Sequence, residues 1–138
     1  MGLKKGSQMR QIILLIFLLP AAVFASTFEC SAVEGVYQPP GQSTLEDAGG
    51  RDQSVIGRVF HVKRESGEIV GSGLFASEDE TITILRDVNE IINTFEVMYT
   101  NKHSDLKFLK ISEFEGDLTF SFYFGWLRLL LIGECRVV

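Results

Sequence analysis

Histidine and cysteine are scarce in this chain, two of each among 138 residues, and their spacing excludes most metal chemistry. Structural zinc ligands arrive in close pairs such as C-x-x-C. Here Cys30 and Cys135 stand near opposite ends, and His61 and His103 are isolated from them and from each other. No metal centre is expected. No G-x-S-x-G elbow is present, since neither Gly71-Ser72-Gly73 nor Ser66-Gly67 supplies it. His103-Ser104-Asp105 has the residue types of a hydrolase triad, but contiguous side chains do not converge on one reacting atom, so the stretch reads as a polar turn. His61, between Phe60 and Val62, is expected to point away from the core. A hydrolase would require His61 or His103 within reach of a hydroxyl and an acid in a cleft.

Phosphate cradles and basic surfaces are also missing. Gly71-x-Gly73 runs into Leu74-Phe75-Ala76 with no basic residue and no helix pattern, so nucleotide binding is not expected. No basic cluster exceeds Lys63-Arg64, which argues against nucleic acid and anionic membranes as partners. Nothing singles out two of the 18 acidic residues as a glycosidase pair. The expected chain is therefore not an enzyme and carries no catalytic, metal or cofactor residues.

Long apolar runs are absent as well. The longest, Ile12 to Leu19, follows Lys4, Lys5 and Arg10 and stops at Pro20, short of the roughly 20 residues a bilayer-spanning helix needs. A positive amino end, a short apolar stretch and Val23-Phe24-Ala25 form a secretory signal over residues 1–25, with cleavage after Ala25. Met9 would serve equally as the start. Cys30 lies five residues beyond the cleavage point, which disfavours a lipid anchor, and no permanent membrane anchor is expected. Residues 26–138 then form one periplasmic or secreted domain. The signal removes three basic residues and no acid, leaving 10 basic against 18 acidic residues and a net charge of −8.

In an oxidising compartment the lone cysteine pair is expected to be a disulfide, Cys30–Cys135. Such a link requires the two ends of the domain to meet. It removes about 4–5 kcal/mol of unfolded-state entropy in the chain model.

After the signal, apolar residues recur at period two. Leu118, Phe120, Phe122 and Phe124 share one face, as do Phe95, Val97 and Tyr99, and Ile82 with Ile84. Arg58–Arg64 and Glu68–Leu74 flank a tight loop at Glu65-Ser66-Gly67, with Gly67 free to take positive φ. Further hairpins are placed at residues 101–105 and 115–117. The strand from Leu106 has apolar residues on both faces, Phe108 against Leu109 and Ile111, and the run Leu129 to Ile132 suits a strand covered on both sides or meeting a partner. Asp87-Val88-Asn89-Glu90 has capping-box spacing for a short helical turn. With a first strand over Phe28–Tyr37 and a last over Leu127–Arg136, the fold class is all-β: an antiparallel meander of about eight strands forming a closed or nearly closed barrel, with a β-sandwich as the alternative.

Aromatic residues are the positive anomaly, with nine phenylalanines, three tyrosines and Trp126 after the signal. A short-stranded barrel with this many rings is expected to be filled by its own side chains. Tyr123 and Trp126, near the last turn, are candidate contacts at a pocket mouth, and the long loop from Gln38 to Gln53 is a candidate binding element. The expected partner is a small apolar ligand or a protein. The first needs an enclosed cavity of a few hundred Å³, the second a packed interior and an exposed apolar patch beside the loop.

Glu34-Gly35-Val36-Tyr37 faintly resembles the Gly-x-Trp start of lipocalins, with Tyr37 in place of the tryptophan. That likeness implies a ligand cup and adds Tyr37 to the candidate surface, although the chain is shorter than a lipocalin barrel. More of the chain resembles small uncharacterised exported bacterial β-rich proteins with a cysteine near each end. The likeness runs through Phe60-x-Val62-x-Arg64-x-x-Gly67 and Gly133-x-Cys135 and implies a fold without a function.

Overall fold

The computed structural model describes residues 26–48, 55–71, 75, 79–88, 94–103 and 105–138. Among these residues the alternation in the sequence is realised as nine strands: β1 (Thr27–Tyr37), β2 (Glu46–Asp47), β3 (Val59–Lys63), β4 (Ile69–Val70), β5 (Glu80–Val88), β6 (Thr94–Asn101), β7 (Leu106–Phe114), β8 (Asp117–Phe124) and β9 (Leu129–Val137). They form one antiparallel sheet in the order β4-β3-β1-β9-β8-β7-β6-β5, with β2 attached to the far end of β1. The sheet curls into an open half-barrel.

The first and last long strands pair over nearly their whole length, and Cys30 lies directly opposite Cys135. Their sulfurs are bonded, with the two Cα atoms 4.1 Å apart. This pairing does not close the barrel as the meander argument expects. β1 has two edges, and the β3–β4 hairpin occupies the one that β9 leaves free, so the terminal strands lie inside the sheet. The open seam falls between β4 and β5 instead.

The seam is bridged by side chains. The β3–β4 turn places Gly67, at φ 72°, against β5 and β6 so closely that a Cβ there would stand 2.9 Å from methyl groups of both Ile82 and Val97. Tyr99 donates its hydroxyl to the Gly67 carbonyl at 2.6 Å. At the other end of the turn, Arg64 donates to Asp87 at 2.6 Å and lies over the Phe28 ring. Asp87 and Val88 are thus strand residues of β5, not the start of a helical turn, and residues 89–93 of that expectation lie outside the described residues. The second arm of the hairpin is shorter than expected, and Leu74 also lies outside them.

The inner face is filled with rings. Phe60 stacks on Phe75 with centroids 4.5 Å apart and meets Phe120 edge-on, while Phe122 contacts Phe60, Phe75, Tyr99 and Phe124. Each of these side chains is buried. Such ring pairs add about 0.5–1.5 kcal/mol apiece beyond the area they remove from water.

Candidate functional site

Because β-strand side chains alternate, every core residue fixes the orientation of its neighbours. Val97 and Tyr99 are buried, so Met98 faces out; the same reasoning turns Phe108, Tyr123 and Leu130 outward between buried partners on β7, β8 and β9. The register then aligns them: Met98 is opposite Phe108, Phe108 opposite Tyr123, Tyr123 opposite Leu130, and Leu130 opposite Val36. Five apolar side chains thus form one lateral row across β6, β7, β8, β9 and β1 on the outer face. Val36 in turn faces Asp47 of β2, which belongs to the loop after β1. The loop residue Leu45 is 69% exposed.

One step along the strands, a groove of about 480 Å³ indents the same face. Its floor follows from small residues on three neighbouring strands, Ser112, Thr119, Ser121 and Gly133. Gly133 is obligatory, since a Cβ would stand 2.0 Å from the Ser31 carbonyl oxygen. That close approach accompanies the bulge in β1, where the register shifts between Ala32 and Glu34. The bulge sets Val33 on the outer side, 59% exposed, and with Glu34 and Ile132 it lines the groove. Lys110 also lines it but is engaged by Glu96 at 3.4 Å.

The sequence-derived candidates are dispersed over this frame. Tyr123 sits at the centre of the apolar row. Trp126 is 62% exposed in the β8–β9 turn. Tyr37 packs against the core from the inner side and donates its hydroxyl to Glu46 at 2.5 Å, so it does not share a face with Tyr123. Of the candidate loop, residues 38–48 are described and residues 49–53 lie outside them. Its first turn is fixed by Gln42 N–H donating to the Pro39 carbonyl and by the Gln38 amide donating to the Gln42 carbonyl.

His61 is on the outer face, as its flanking core residues require, and Nε2 lies 3.1 Å from Glu29 Oε2. Arg136 Nε donates to the other Glu29 oxygen at 2.7 Å, so β3, β1 and β9 are laced together beside the disulfide. The hydrogen bond with His61, and after it the one from Arg136, holds the Glu29 carboxyl below its ordinary range. The backbone N–H of His103 donates to Asn101 Oδ1, and Ser104 lies outside the described residues. Neither histidine lines the groove.

Sequence reasoning passed over Lys107 and Glu80. Both are within a tenth of full burial, and they form an ion pair on the inner face, with Lys107 also donating to the Phe75 carbonyl at 3.0 Å. Lys107 occupies an inward register position beside Leu109, which is the signal that identifies it. Burial, with the Glu80 carboxylate adding to it, pushes the Tyr99 phenol well above its usual range, so it remains a neutral donor. Among the described residues no three His, Cys, Asp or Glu side chains gather as a metal site requires.

No family model, no curated protein and no solved structure matches this chain.

Proposed function

We propose that the domain is an exported, non-enzymatic binding module whose partner is a protein, held by the outer face of β6 to β9 and β1 beside the loop that follows β1. The observation that carries this reading is the row Met98, Phe108, Tyr123, Leu130 and Val36. An outer sheet face is ordinarily polar in a one-layer arrangement, and a contiguous apolar stripe flanked by a groove is the kind of surface that associates. The ring-filled inner face favours a protein partner over a small apolar ligand, because the volume such a ligand would take is held by Phe60, Phe75 and Phe122. The Cys30–Cys135 disulfide is compatible with an oxidising compartment, and residues 1–25 are read as the signal that delivers the chain to the periplasm or beyond it.

Cross-linking in the native compartment, followed by intact-complex mass spectrometry, tests the reading. The chain is expected to start at Ser26 and to carry a protein adduct that disappears in Tyr123→Ser/Leu130→Ser while the melting temperature holds. A co-purifying lipid-like mass, or an adduct indifferent to both substitutions, would refute it.

A further inference from the structure

The groove beside the apolar row differs from the row in its charge. Glu34 and Glu134 line it, both exposed, and neither has an ion-pair or hydrogen-bond partner among the described residues. The one basic side chain in the lining, Lys110, is drawn toward Glu96 on the neighbouring strand. The walls between the carboxylates are apolar, with Val33 at 59% and Ile132 at 41% exposure. The groove therefore combines an aliphatic wall with uncompensated negative charge, within a domain whose net charge of −8 gives the surroundings the same sign.

We infer that this groove receives a basic segment of the partner protein, an arginine or lysine whose methylene stem lies on Val33 and Ile132 and whose head meets Glu34 and Glu134. The inference rests on the outer-face reading and specifies the chemistry of the occupant. A long basic side chain is the residue type that satisfies both surfaces, because its stem is apolar and its head is charged. The hydroxyls of Ser112, Thr119 and Ser121 add acceptors on the floor without adding bulk. An acidic segment, or a second copy of this acidic chain, meets like charge here. A purely aliphatic segment would cover Glu34 and Glu134 without giving them partners.

Two synthetic peptides test this on the exported chain with its disulfide intact: an acetylated, amidated alternating leucine–arginine hexapeptide and its leucine–glutamate counterpart, each titrated while backbone amide shifts are followed by NMR. The arginine peptide is expected to shift Val33, Ser121 and Ile132, the glutamate peptide to shift none of them. Glu34→Gln/Glu134→Gln should weaken the arginine peptide by about tenfold, in keeping with two exposed charge contacts. Equal response to both peptides, shifts centred elsewhere, or undiminished binding by the double variant would each overturn the inference. Should the native protein adduct depend on Tyr123 and Leu130 but not on Glu34 and Glu134, the outer-face reading stands and the basic occupant falls. An adduct lost in neither variant, with charge-dependent peptide binding in the groove intact, removes the outer-face reading instead.

Discussion

Lys107 and Glu80 neutralise each other inside the half-barrel across an intervening strand: Lys107 is on β7, Glu80 is on β5, and β6 lies between them. Lys107 also sits 5.7 Å from the centroid of the Tyr99 ring on β6. The pair tethers the edge strand β5 to the body of the sheet. Removing one partner leaves a buried charge without its counterion. Lys107→Ala is expected to cost about 3–5 kcal/mol, whereas Lys107→Met/Glu80→Leu should recover most of that loss. Urea midpoints of the two variants decide the matter.

Tyr99 tests the seam itself. Its hydroxyl satisfies the Gly67 carbonyl in the β3–β4 turn, so Tyr99→Phe removes the bond without changing the ring packing. The expected loss is about 1–2 kcal/mol. Hydrogen exchange should quicken at the turn and along β5 before it quickens in β8 and β9.

The close approach at Gly133 yields a sharper outcome. A methyl group there collides with backbone, namely the Ser31 oxygen at 2.0 Å and the Ala32 Cα at 3.0 Å. No side-chain rearrangement relieves a backbone clash. Gly133→Ala should therefore displace the β1 bulge and destabilise by more than about 2 kcal/mol. Ser121→Ala, in the same groove, should leave the denaturation midpoint unchanged.

The disulfide closes 105 residues of chain. Cys30→Ala/Cys135→Ala is expected to lower stability by about 4–5 kcal/mol in the chain-entropy model. Because β1 and β9 pair along their length without it, a folded population should survive in the cold with the same strand order, detectable by cross-strand NOEs between Gly35 and Leu131.

Acid should act at Glu29. Its carboxyl is held below the usual range in the folded state, so its contribution is present above the ordinary carboxylate value of 4.5 and is lost as pH falls through the lowered folded value. Glu29→Gln is expected to lower stability above the ordinary carboxylate range and to flatten the acid limb below it, so that the two proteins converge as pH falls. Denaturant midpoints across that range supply the measurement.

Much of this architecture is legible along the chain. Period-two patterning marked β6, β8 and the hairpins, since a strand needs only its own alternation to declare which residues face in. Gly67 was identifiable as a turn residue, and it takes positive φ. The β7–β8 turn, Glu115 and Gly116 both at positive φ, follows the same local chemistry. The run Leu129 to Ile132 divides as an apolar two-faced strand must, Leu129 and Leu131 inward, Leu130 and Ile132 outward.

What the chain could not declare is which strands become neighbours and where the sheet stays open. Two cysteines dictate that β1 meets β9, but not that β3 takes the other edge of β1 and moves the seam to β5. The site has the same origin. Tyr123 and the run holding Leu130 stood out in the sequence, but nothing there joined them to Met98, Phe108 and Val36; only the register of four ladders sets the five in one row. Alternation is a property of a single strand and is written in its residues, whereas register and edge order arise from competition among all strands for partners, and that competition is resolved only when the chain folds.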